Sequence, residues 1–319
     1  MGRVLRVLGG SLVLLAVLAG LAVWQAKRLH EAPGPLAAPL NHLVPRGGTD
    51  VIAASLLRAG IIDDSRAFAL AAWATRPQRP LRAGEFAFPA AASLEQVLTV
   101  LREARPVQRR LTIPEGLTAV QIVALLERAE GLVGPIPALA EGAVLPETYA
   151  YQWGDARAPL LRRAEAAMAA ALAEAWAERA EGLPLATPRE ALILASIVEE
   201  ETAVAAERPR IAAVFLNRLR RNMPLQSDPT VAYAASAGGG LERALSRTDL
   251  ERDSPFNTYR VRGLPPAPIA APGRDALRAV TRPAQTDELY FVADGNGGHA
   301  FGRTLEEHNR NVARWRALQ

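Results

Sequence analysis

The sequence predicts an α+β protein in which an N-terminal transmembrane helix precedes a small βααβ domain and a larger mixed α/β domain. Three observations support this prediction. A long apolar stretch without charges lies near the N-terminus, short strand-like segments alternate with helical ones after it, and Ala- and Leu-rich helical segments dominate the remainder. With 319 residues, 50% of them hydrophobic, the chain can build one large core or two smaller ones.

The apolar stretch Val7–Trp24 carries no charged residue and is long enough to cross a bilayer as a helix. A cleaved signal peptide begins similarly, but its apolar run is shorter, and the residues from Trp24 to Lys27 do not have the small side chains of a cleavage site. We therefore expect residues 1–6 to form a short tail, residues 7–26 an uncleaved anchor and residues 27–40 a proline-rich spacer. Basic residues flank the stretch on both sides, so charge alone leaves its orientation open.

Residues 41–105 are predicted to form the small domain. Its strands are expected at Leu43–Pro45 and Leu81–Pro89, where apolar and aromatic residues lie next to turn-forming glycines. Two helical segments lie between them, one closed by Gly60 and one over Ser65–Thr75. The order strand, helix, helix, strand follows, with a trailing helix.

Residues 106–319 are predicted to form the larger domain. A strand is expected over Val107–Ile113 and a long amphipathic helix over Ala156–Ala180. Two helices on either side of the domain boundary should begin with capping boxes, in which a Ser or Thr and a Gln three residues later satisfy each other's backbone N–H groups. The pairs are Ser93 with Gln96 and Thr118 with Gln121.

The segment Thr187–Glu190 has the features of a complete helix start. It offers an N-cap Thr, a Pro at the first helical position and a Glu three residues after the cap. The residues that follow, Ala191–Val198, are apolar on nearly every side of a helix. This pattern predicts a helix buried in the core rather than one lying on a surface.

Three consecutive glutamates end this predicted helix. At 3.6 residues per turn, Glu201 shares a face with three apolar residues, whereas Glu199 and Glu200 point elsewhere. The apolar residues of that face are Leu194, Ile197 and Val198. Because Glu199 and Glu200 should lie off the buried face, we expect their substitution to cost little.

A carboxyl group held against apolar side chains loses hydration, so its pKa rises toward neutrality. Such a group can act as the acid that a glycosidic bond requires. The alternative is that the three glutamates form a solvated helix end paired with Arg208 or Arg210. Helix phase alone leaves both interpretations open for Glu201.

Composition argues against several other classes of function. The net charge of +4 comes from scattered arginines, with Lys27 as the single lysine, so we expect no nucleic-acid partner. The absence of cysteine excludes disulfides and thiolate metal sites. His299 and His308 do not have a metal-ligand spacing, and no glycine-rich dinucleotide fingerprint follows a strand. We therefore expect no metal and no cofactor.

Several segments of the second half resemble, in order, the motifs of the endolytic murein transglycosylases, also called the MltG or YceG-like family. These segments are LASIVEEET (Leu194–Thr202), AAVFLNRL (Ala212–Leu219), LQSDPTVAY (Leu225–Tyr233), SPFNTY (Ser254–Tyr259), GLPP (Gly263–Pro266) and LYFVADGNGGHAF (Leu289–Phe301). Upstream, LPETYAY (Leu145–Tyr151) is similar to a family segment that contributes an acidic residue to the cleft. The resemblance implies that residues 41–105 are a LysM-like domain and residues 106–319 the catalytic domain.

The resemblance also implies roles for individual residues. The catalytic glutamate of the family immediately precedes the Thr of a Glu-x-Glu-Thr motif, which corresponds to Glu201 before Thr202. The positions that match family residues in or near the glycan groove are Glu147, Asn217, Gln226, Asp228, Asn257 and Tyr259. No metal or cofactor is implied.

The activity implied by the resemblance is cleavage of the MurNAc-GlcNAc β-1,4 bond within peptidoglycan strands, leaving 1,6-anhydroMurNAc ends and terminating nascent strands. One carboxylate suffices when the nucleophile is the tethered 6-hydroxyl of the sugar itself. Glu147 or Asp228 could stabilise the developing charge, and sequence does not rank them. The implied partners are glycan strands and peptidoglycan polymerases (penicillin-binding proteins). The implied location is the inner membrane, with residues 1–6 cytoplasmic and the catalytic domain periplasmic.

Two other functions fit parts of the sequence. A non-catalytic scaffold would bind glycan through the LysM-like domain and dock polymerases without cutting the strand. A hydrolase would use water as its nucleophile and leave reducing ends. The single well-placed glutamate and the resemblance favour the transglycosylase over both.

Overall fold

The computed structural model describes the backbone of residues 2–318 and the side chains of residues 15–21, 23–25 and 27–318. The chain divides into two compact units. Unit 1 comprises Met1–Arg109 with Gln152–Gly154, and unit 2 comprises Arg110–Tyr151 with Asp155–Gln319. Both contain helices and strands, which confirms the predicted mixture of α and β structure.

The helices and strands follow one another along the chain with these bounds. The helices of unit 1 are α1 (Gly2–Glu31), α2 (Thr49–Arg58), α3 (Ser65–Ala74) and α4 (Leu94–Glu103), and its strands are β1 (Leu40–Val44) and β2 (Gly84–Phe88). Strand β3 (Arg109–Thr112) starts at the boundary between the units. The later helices are α5 (Ala119–Arg128), α6 (Arg157–Ala177), α7 (Pro188–Glu201), α8 (Arg208–Arg220), α9 (Asp228–Ser236), α10 (Arg247–Leu250), α11 (Arg274–Thr281) and α12 (Leu305–Arg316). The later strands are β4 (Thr148–Tyr151), β5 (Tyr290–Ala293) and β6 (His299–Gly302), and a 3-10 turn covers Ala205–Glu207.

Unit 1 has the predicted order of strand, helix, helix, strand and trailing helix. Strands β1 and β2 pair antiparallel, with Leu40 opposite Phe88 and Val44 opposite Gly84. The capping box of Ser93 and Gln96 starts α4 as predicted. The core is built from aliphatic and aromatic side chains of all five elements, among them Val44, Ile52, Leu56, Phe68, Phe86, Phe88 and Leu101.

The segment that precedes β1 is hydrogen-bonded to the rest of unit 1. Gly34 N–H donates to Ala91 O at 3.1 Å, and Ala91 N–H donates to Leu36 O at 2.7 Å. A side chain on Gly34 would collide with the carbonyl of Ala92, so a residue without Cβ is needed for this close approach. Part of the predicted proline-rich spacer therefore packs against the connection between β2 and α4 within unit 1.

Half of the predicted anchor over residues 7–26 falls outside the described side chains, since residues 7–14, 22 and 26 are not among them. In the portion of the chain with described residues, no helix has the length and apolar character needed to cross a membrane.

Unit 2 contains two hydrophobic clusters and two short sheets. Strand β3 pairs with β4, and β5 forms an antiparallel hairpin with β6. The capping box of Thr118 and Gln121 starts α5 as predicted. One cluster joins β3, β4, α5 and the start of α6, and includes Leu111, Ile113, Ile122, Leu126, Tyr151 and Leu160. The other surrounds α7 and includes Leu194, Ile197, Val198, Ile211, Phe215, Leu277 and Val280.

Helix α7 is the centre of the second cluster. It begins as predicted, with the Thr187 hydroxyl accepting a bond from Glu190 N–H and Pro188 at the first helical position. Its neighbours are α6, α8, α9 and α11. Leu194, Ile197 and Val198 are fully buried, which confirms the predicted buried helix. The helix ends at Glu201, and this end leads into the candidate site.

Candidate active site

The Glu201 carboxyl lies where the end of α7 meets the start of α9. The Ser227 hydroxyl donates a 2.6 Å hydrogen bond to Glu201 Oε1. Burial raises the pKa of Glu201 to about 7, and the nearby charges of Asp228 and Glu200 act in the same direction. The Ser227 hydroxyl and the Arg218 guanidinium oppose this rise, because both favour the ionised form. A carboxyl with this pKa exchanges a proton readily at neutral pH.

Ser227 is held in place by the segment around Thr258. Ser227 N–H donates to Thr258 Oγ1 at 3.0 Å, and Gln226 N–H donates to Thr258 O at 3.1 Å. Thr230 Oγ1 lies 2.7 Å from Ser227 O and 2.9 Å from Thr258 Oγ1. Gln226 itself adopts a left-handed backbone conformation with φ of 52°, which is uncommon for a residue other than glycine. The surrounding bonds thus fix the direction of the Ser227 hydroxyl.

Asp228 and Tyr259 lie beside this pair. Tyr259 Oη donates a 2.6 Å hydrogen bond to Asp228 Oδ1, and Asp228 is the first residue of α9. Burial and the Asp228 charge raise the pKa of Tyr259, so its hydroxyl keeps its proton. Both residues line the wall of an open cleft of about 770 Å³ in unit 2. That volume lies in the range of ligand-binding pockets.

Other walls of the cleft come from the start of α5, the end of α7, α9, α10 and the segment between α9 and α10. They include Thr118, Gln121, Glu200, Tyr233, Leu241, Arg243, Leu245 and Leu250. Glu201 is not itself a lining residue of this cleft, but its neighbour Glu200 is. Burial and the Glu199 charge raise the pKa of Glu200 to about 7 as well. The site therefore holds two carboxyl groups with pKa values near neutrality.

Glu199 corrects the expectation drawn from helix phase. Its side chain is only 3% exposed and lies 2.7 Å from the Arg208 guanidinium, which also contacts Glu115 at 3.4 Å. Gly273 N–H donates to Glu199 Oε2 at 2.8 Å. The prediction that Glu199 lies off the buried face is wrong, because the apolar surroundings of α7 extend to this residue and an ion pair compensates its charge.

Two of the residues implied by family resemblance lie in buried hydrogen-bond networks. Asn217 donates to Thr286 O at 2.8 Å and to Glu288 O at 3.0 Å. Asn257 is fully buried and donates to the carbonyl groups of Leu250 and Arg252. Neither asparagine lines the cleft. Asn257 thereby holds Leu250, which lines the cleft, whereas Asn217 holds a segment outside it.

The remaining two implied residues take different positions. Gln226 is exposed next to Ser227, and its side-chain oxygen lies 3.4 Å from Arg218 Nη1. Glu147 forms an ion pair with Arg274 at 3.0 Å and does not line the cleft. The structure therefore brings Glu201, Asp228 and Tyr259 together, with Gln226 adjacent and Glu147 outside this group.

The sequence-based reasoning did not identify Ser227 or Arg218. Ser227 lies between two residues that it did single out, and nothing local shows that its hydroxyl binds a glutamate 26 positions away. Arg218 is buried, and it donates to Leu289 O at 2.7 Å and Leu225 O at 2.6 Å. A buried arginine near a buried carboxyl balances its charge, but an AxxFLNRL segment gives no sign of that role.

Within the described residues, no group of His, Asp or Glu side chains is arranged to hold a metal ion. His299 instead contacts Glu207, with Nδ1 lying 2.7 Å from Oε2. His308 stacks on Tyr290 at a ring separation of 5.2 Å. The groups that the site itself presents are the carboxyls of Glu200, Glu201 and Asp228, with the Ser227 and Tyr259 hydroxyls and the Arg218 guanidinium around them, and these groups can transfer protons.

Comparison with known proteins gives one consistent family. Residues 43–314 match the YceG-like family model. An endolytic murein transglycosylase of Bacillus subtilis is 51% identical over 119 residues, which are 37% of this chain and 32% of the relative. One from Streptococcus pneumoniae is 30% identical over 321 residues, which cover 85% of this chain and 57% of the relative. The matches thus span about a third and somewhat more than half of these relatives.

A solved structure has a similar fold. A crystal structure of a YceG-like protein from Listeria monocytogenes superposes with a TM-score of 0.55 at 27% sequence identity. The match covers 85% of this chain and 98% of that chain.

Proposed function

The chain belongs to the YceG-like family, and we propose that it is a lytic transglycosylase that cuts peptidoglycan glycan strands at internal positions. The observation that carries the proposal is the Glu201 carboxyl, held by Ser227 beside an open cleft, with a pKa raised to about 7. A group of this kind is protonated often enough at neutral pH to act as an acid and is basic enough afterwards to act as a base.

In the proposed reaction, neutral Glu201 gives its proton to the glycosidic oxygen between MurNAc and GlcNAc as the bond to the anomeric carbon breaks. The 6-hydroxyl oxygen of the same MurNAc then bonds to that carbon, and its proton passes to the Glu201 carboxylate. The products are a 1,6-anhydroMurNAc end and a free 4-hydroxyl on GlcNAc. No water is consumed, and Glu201 regains its starting form.

A single carboxylate suffices because the nucleophile is already tethered next to the reacting carbon. Intramolecular attack of this kind corresponds to an effective concentration on the order of 10⁵ M or more. Glycosidases that use water or a covalent intermediate need a second carboxylate at a defined distance. In this proposal Asp228, bonded to Tyr259, stabilises positive charge on the sugar ring, and Glu147 has no direct role because it pairs with Arg274 outside the cleft.

Glu200 is the rival candidate for the acid. It lines the cleft, and its pKa is also raised to about 7. The family motif favours Glu201, which immediately precedes Thr202. The fixed hydrogen bond from Ser227 also favours Glu201, because a positioned carboxyl transfers a proton more effectively than one free to rotate.

The experiment that tests the activity is digestion of uncrosslinked glycan strands by the purified protein, followed by mass spectrometry of the new ends. A transglycosylase yields 1,6-anhydroMurNAc ends. A hydrolase yields ends that are heavier by one water and reducible, and a scaffold yields no new ends. Either of the last two results would replace the proposal.

The proposal extends to the location and partners of the protein. We propose that residues 7–26 anchor it in the inner membrane, that residues 41–105 act as a LysM-like glycan-binding domain, and that the catalytic domain lies in the periplasm. The support is the charge-free stretch Val7–Trp24, the βααβ order of unit 1 and the family motifs. Penicillin-binding proteins are the proposed partners, because trimming of nascent strands requires access to the polymerase product.

A further inference from the structure

Helix α3 presents an apolar and basic face to solvent. Phe68 and Ala72 point into the core of unit 1, whereas Leu70 and Trp73 are 65% and 61% exposed. Leu70 and Trp73 are three residues apart, so they lie on the same side of the helix. Together they form a small apolar patch, and an apolar patch bordered by polar or charged side chains is a feature of protein- and membrane-interaction surfaces.

Three arginines lie in and just after α3. Residues 65–80 contain Arg66, Arg76 and Arg79 and no acidic residue, whereas Asp63 and Asp64 precede the helix and Asp64 caps it. The three arginines are exposed, and none is paired with a described carboxylate. The name basic α3 face is used below for Arg66, Leu70 and Trp73 of α3 together with Arg76 and Arg79, which follow its end at Ala74.

The basic α3 face belongs to the same unit as the end of α1. Residues from α1, from the segment that follows it and from the start of α3 line one groove, among them Leu29, Pro33, Asp64 and Ala67. Two residues separate the end of α1 at Glu31 from Gly34, which is hydrogen-bonded to Ala91. Unit 1 is therefore attached closely to the C-terminal end of α1.

We propose that the basic α3 face lies on the surface of an anionic lipid bilayer, the one into which the proposed anchor over residues 7–26 inserts. Trp and Leu side chains enter the boundary between headgroups and acyl chains, and arginines on the same face bind lipid phosphates. This surface goes beyond the transglycosylase activity, and it rests on the proposed anchor. It would hold unit 1 flat against the membrane instead of letting it swing on a spacer.

A lipid surface fits this face better than a sugar does. Stacking on a sugar requires an open ring face with hydrogen-bonding side chains around it. The Arg76 guanidinium lies 5.2 Å from the centre of the Trp73 ring and covers one side of it. The other members of the face are arginines and a leucine. Gln78, the one amide side chain among residues 65–80, is bonded to Arg102 at 2.8 Å.

The test uses the absence of cysteine from the chain. In the full-length protein, Leu70→Cys is labelled with a polarity-sensitive fluorophore and reconstituted into vesicles of phosphatidylcholine alone or mixed equally with phosphatidylglycerol. Leu43→Cys is the matched control. Leu43 is 40% exposed, and its neighbour in β1, Val44, is buried in the core that α3 also covers. Because successive side chains of a strand point to opposite faces, the Leu43 side chain points away from that core. Quenching by lipids brominated on the acyl chain reports which probe reaches the membrane.

We expect the Leu70→Cys probe in anionic vesicles to shift to shorter wavelength and to be quenched about threefold more strongly than the Leu43→Cys probe. The double change Arg66→Glu with Arg79→Glu should lower this quenching to the value in phosphatidylcholine alone. Equal quenching of the two probes, or a Leu70→Cys probe that responds to added glycan strands and not to lipid, would overturn the proposed surface.

Flotation of the same vesicles separates this failure from others. Protein that floats without selective quenching of the Leu70→Cys probe retains the anchor and excludes the lipid-bound face. If the protein does not float with the vesicles, both the anchor and the lipid-bound face are excluded. Neither result depends on the transglycosylase activity, which the digestion experiment measures independently.

Discussion

Ser227 occupies the N-cap position of α9, yet its hydroxyl donates to Glu201 Oε1 at 2.6 Å instead of accepting a bond from the helix. An N-cap serine normally stabilises its helix by accepting a bond from a backbone N–H of the first turn. Here the side chain is committed to a carboxyl on another helix. Helix α9 therefore lacks a side-chain cap at Ser227, and the Ser227 hydroxyl orients the Glu201 carboxyl instead.

Replacing Ser227 with Ala should move the pH dependence of activity. The hydroxyl favours the ionised carboxyl, so its loss should raise the pKa of Glu201 further above about 7. If protonated Glu201 starts the reaction, kcat/KM falls as pH rises through this pKa. In the Ser227→Ala variant, the alkaline limb of the profile of kcat/KM against pH should then shift to higher pH. An unchanged limb would show that another group sets it.

Replacing Glu201 with Gln should stabilise the fold at alkaline pH. The native state holds the Glu201 proton more tightly than the unfolded chain, so stability from this group is complete below about pH 4.5 and is lost as pH rises through about 7. Glutamine removes the negative charge of the carboxylate and keeps the size and shape of the side chain. Allowing for partial exposure, we expect a gain of about 2 kcal/mol in the free energy of unfolding at pH 8.

Denaturant titrations of both proteins at pH 4.5 and pH 8 measure this difference. At pH 4.5 the two should agree closely, because the carboxyl is protonated in both the native state and much of the unfolded ensemble. A Glu201→Gln variant that is less stable than the parent at pH 8 would mean that the carboxylate is satisfied in the fold and its pKa is not raised.

Replacing Glu199 with Gln should destabilise the protein, in contrast to what helix phase predicts. The change leaves the Arg208 guanidinium, 11% exposed, without its closest carboxylate. Removing one partner of a buried ion pair typically costs several kcal/mol. Because Glu115 stays near Arg208, and because burial raises the pKa of Glu199 and so makes its own charge costly, we expect a smaller loss of about 1–2 kcal/mol. Glu181→Gln is the control, because Glu181 is exposed. Equal midpoints for the two variants in urea would contradict the assigned ion pair.

Replacing Tyr259 with Phe should lower activity more than stability. The change removes the 2.6 Å bond to Asp228, so the carboxylate loses its fixed orientation next to Glu201. A hydrogen bond to a charged group contributes about 1.5–3 kcal/mol, which corresponds to a loss of about tenfold or more in kcat/KM. Tyr233→Phe is the matched control, since Tyr233 also lines the cleft but bonds Glu141. Equal effects in both variants would remove the special role of Tyr259.

The parts of the fold that sequence predicts are those fixed by neighbouring residues. The pairs Ser93 with Gln96 and Thr118 with Gln121 satisfy the first turns of their own helices, so their effect is local and readable. The hairpin of β5 and β6 was not predicted, because its short strands have partly exposed side chains and little alternation.

The site is predictable in part, because helix phase sets Glu201 apart from its two neighbours and the family resemblance supplies its role together with Asp228 and Tyr259. Glu201 follows from its spacing to Leu194, Ile197 and Val198 along α7. Glu199 does not, because its environment comes from Arg208 and from Gly273, which is 74 positions away. Ser227 depends on Thr258, 31 positions away, for its orientation. Contacts between distant segments leave no periodic pattern in a sequence.

Glu200 and Glu201 offer a matched pair for the central claim. Both pKa values are raised to about 7, and the residues are adjacent, but Glu200 lines the cleft whereas Glu201 is bonded to Ser227. Changing either to Gln removes one acid while keeping its size and most of its hydrogen bonds. A difference in activity between the variants therefore reports which carboxyl transfers the proton.

The most direct measurement is the rate at which each variant releases 1,6-anhydroMurNAc ends from uncrosslinked glycan strands at pH 6.5. The released ends are quantified by mass spectrometry. We expect Glu201→Gln to lose activity by a factor of about 10³ or more while still binding strands, and Glu200→Gln to stay within about tenfold of the parent. Release by Glu201→Gln at a rate near that of the parent, or a larger loss in Glu200→Gln, would contradict the account.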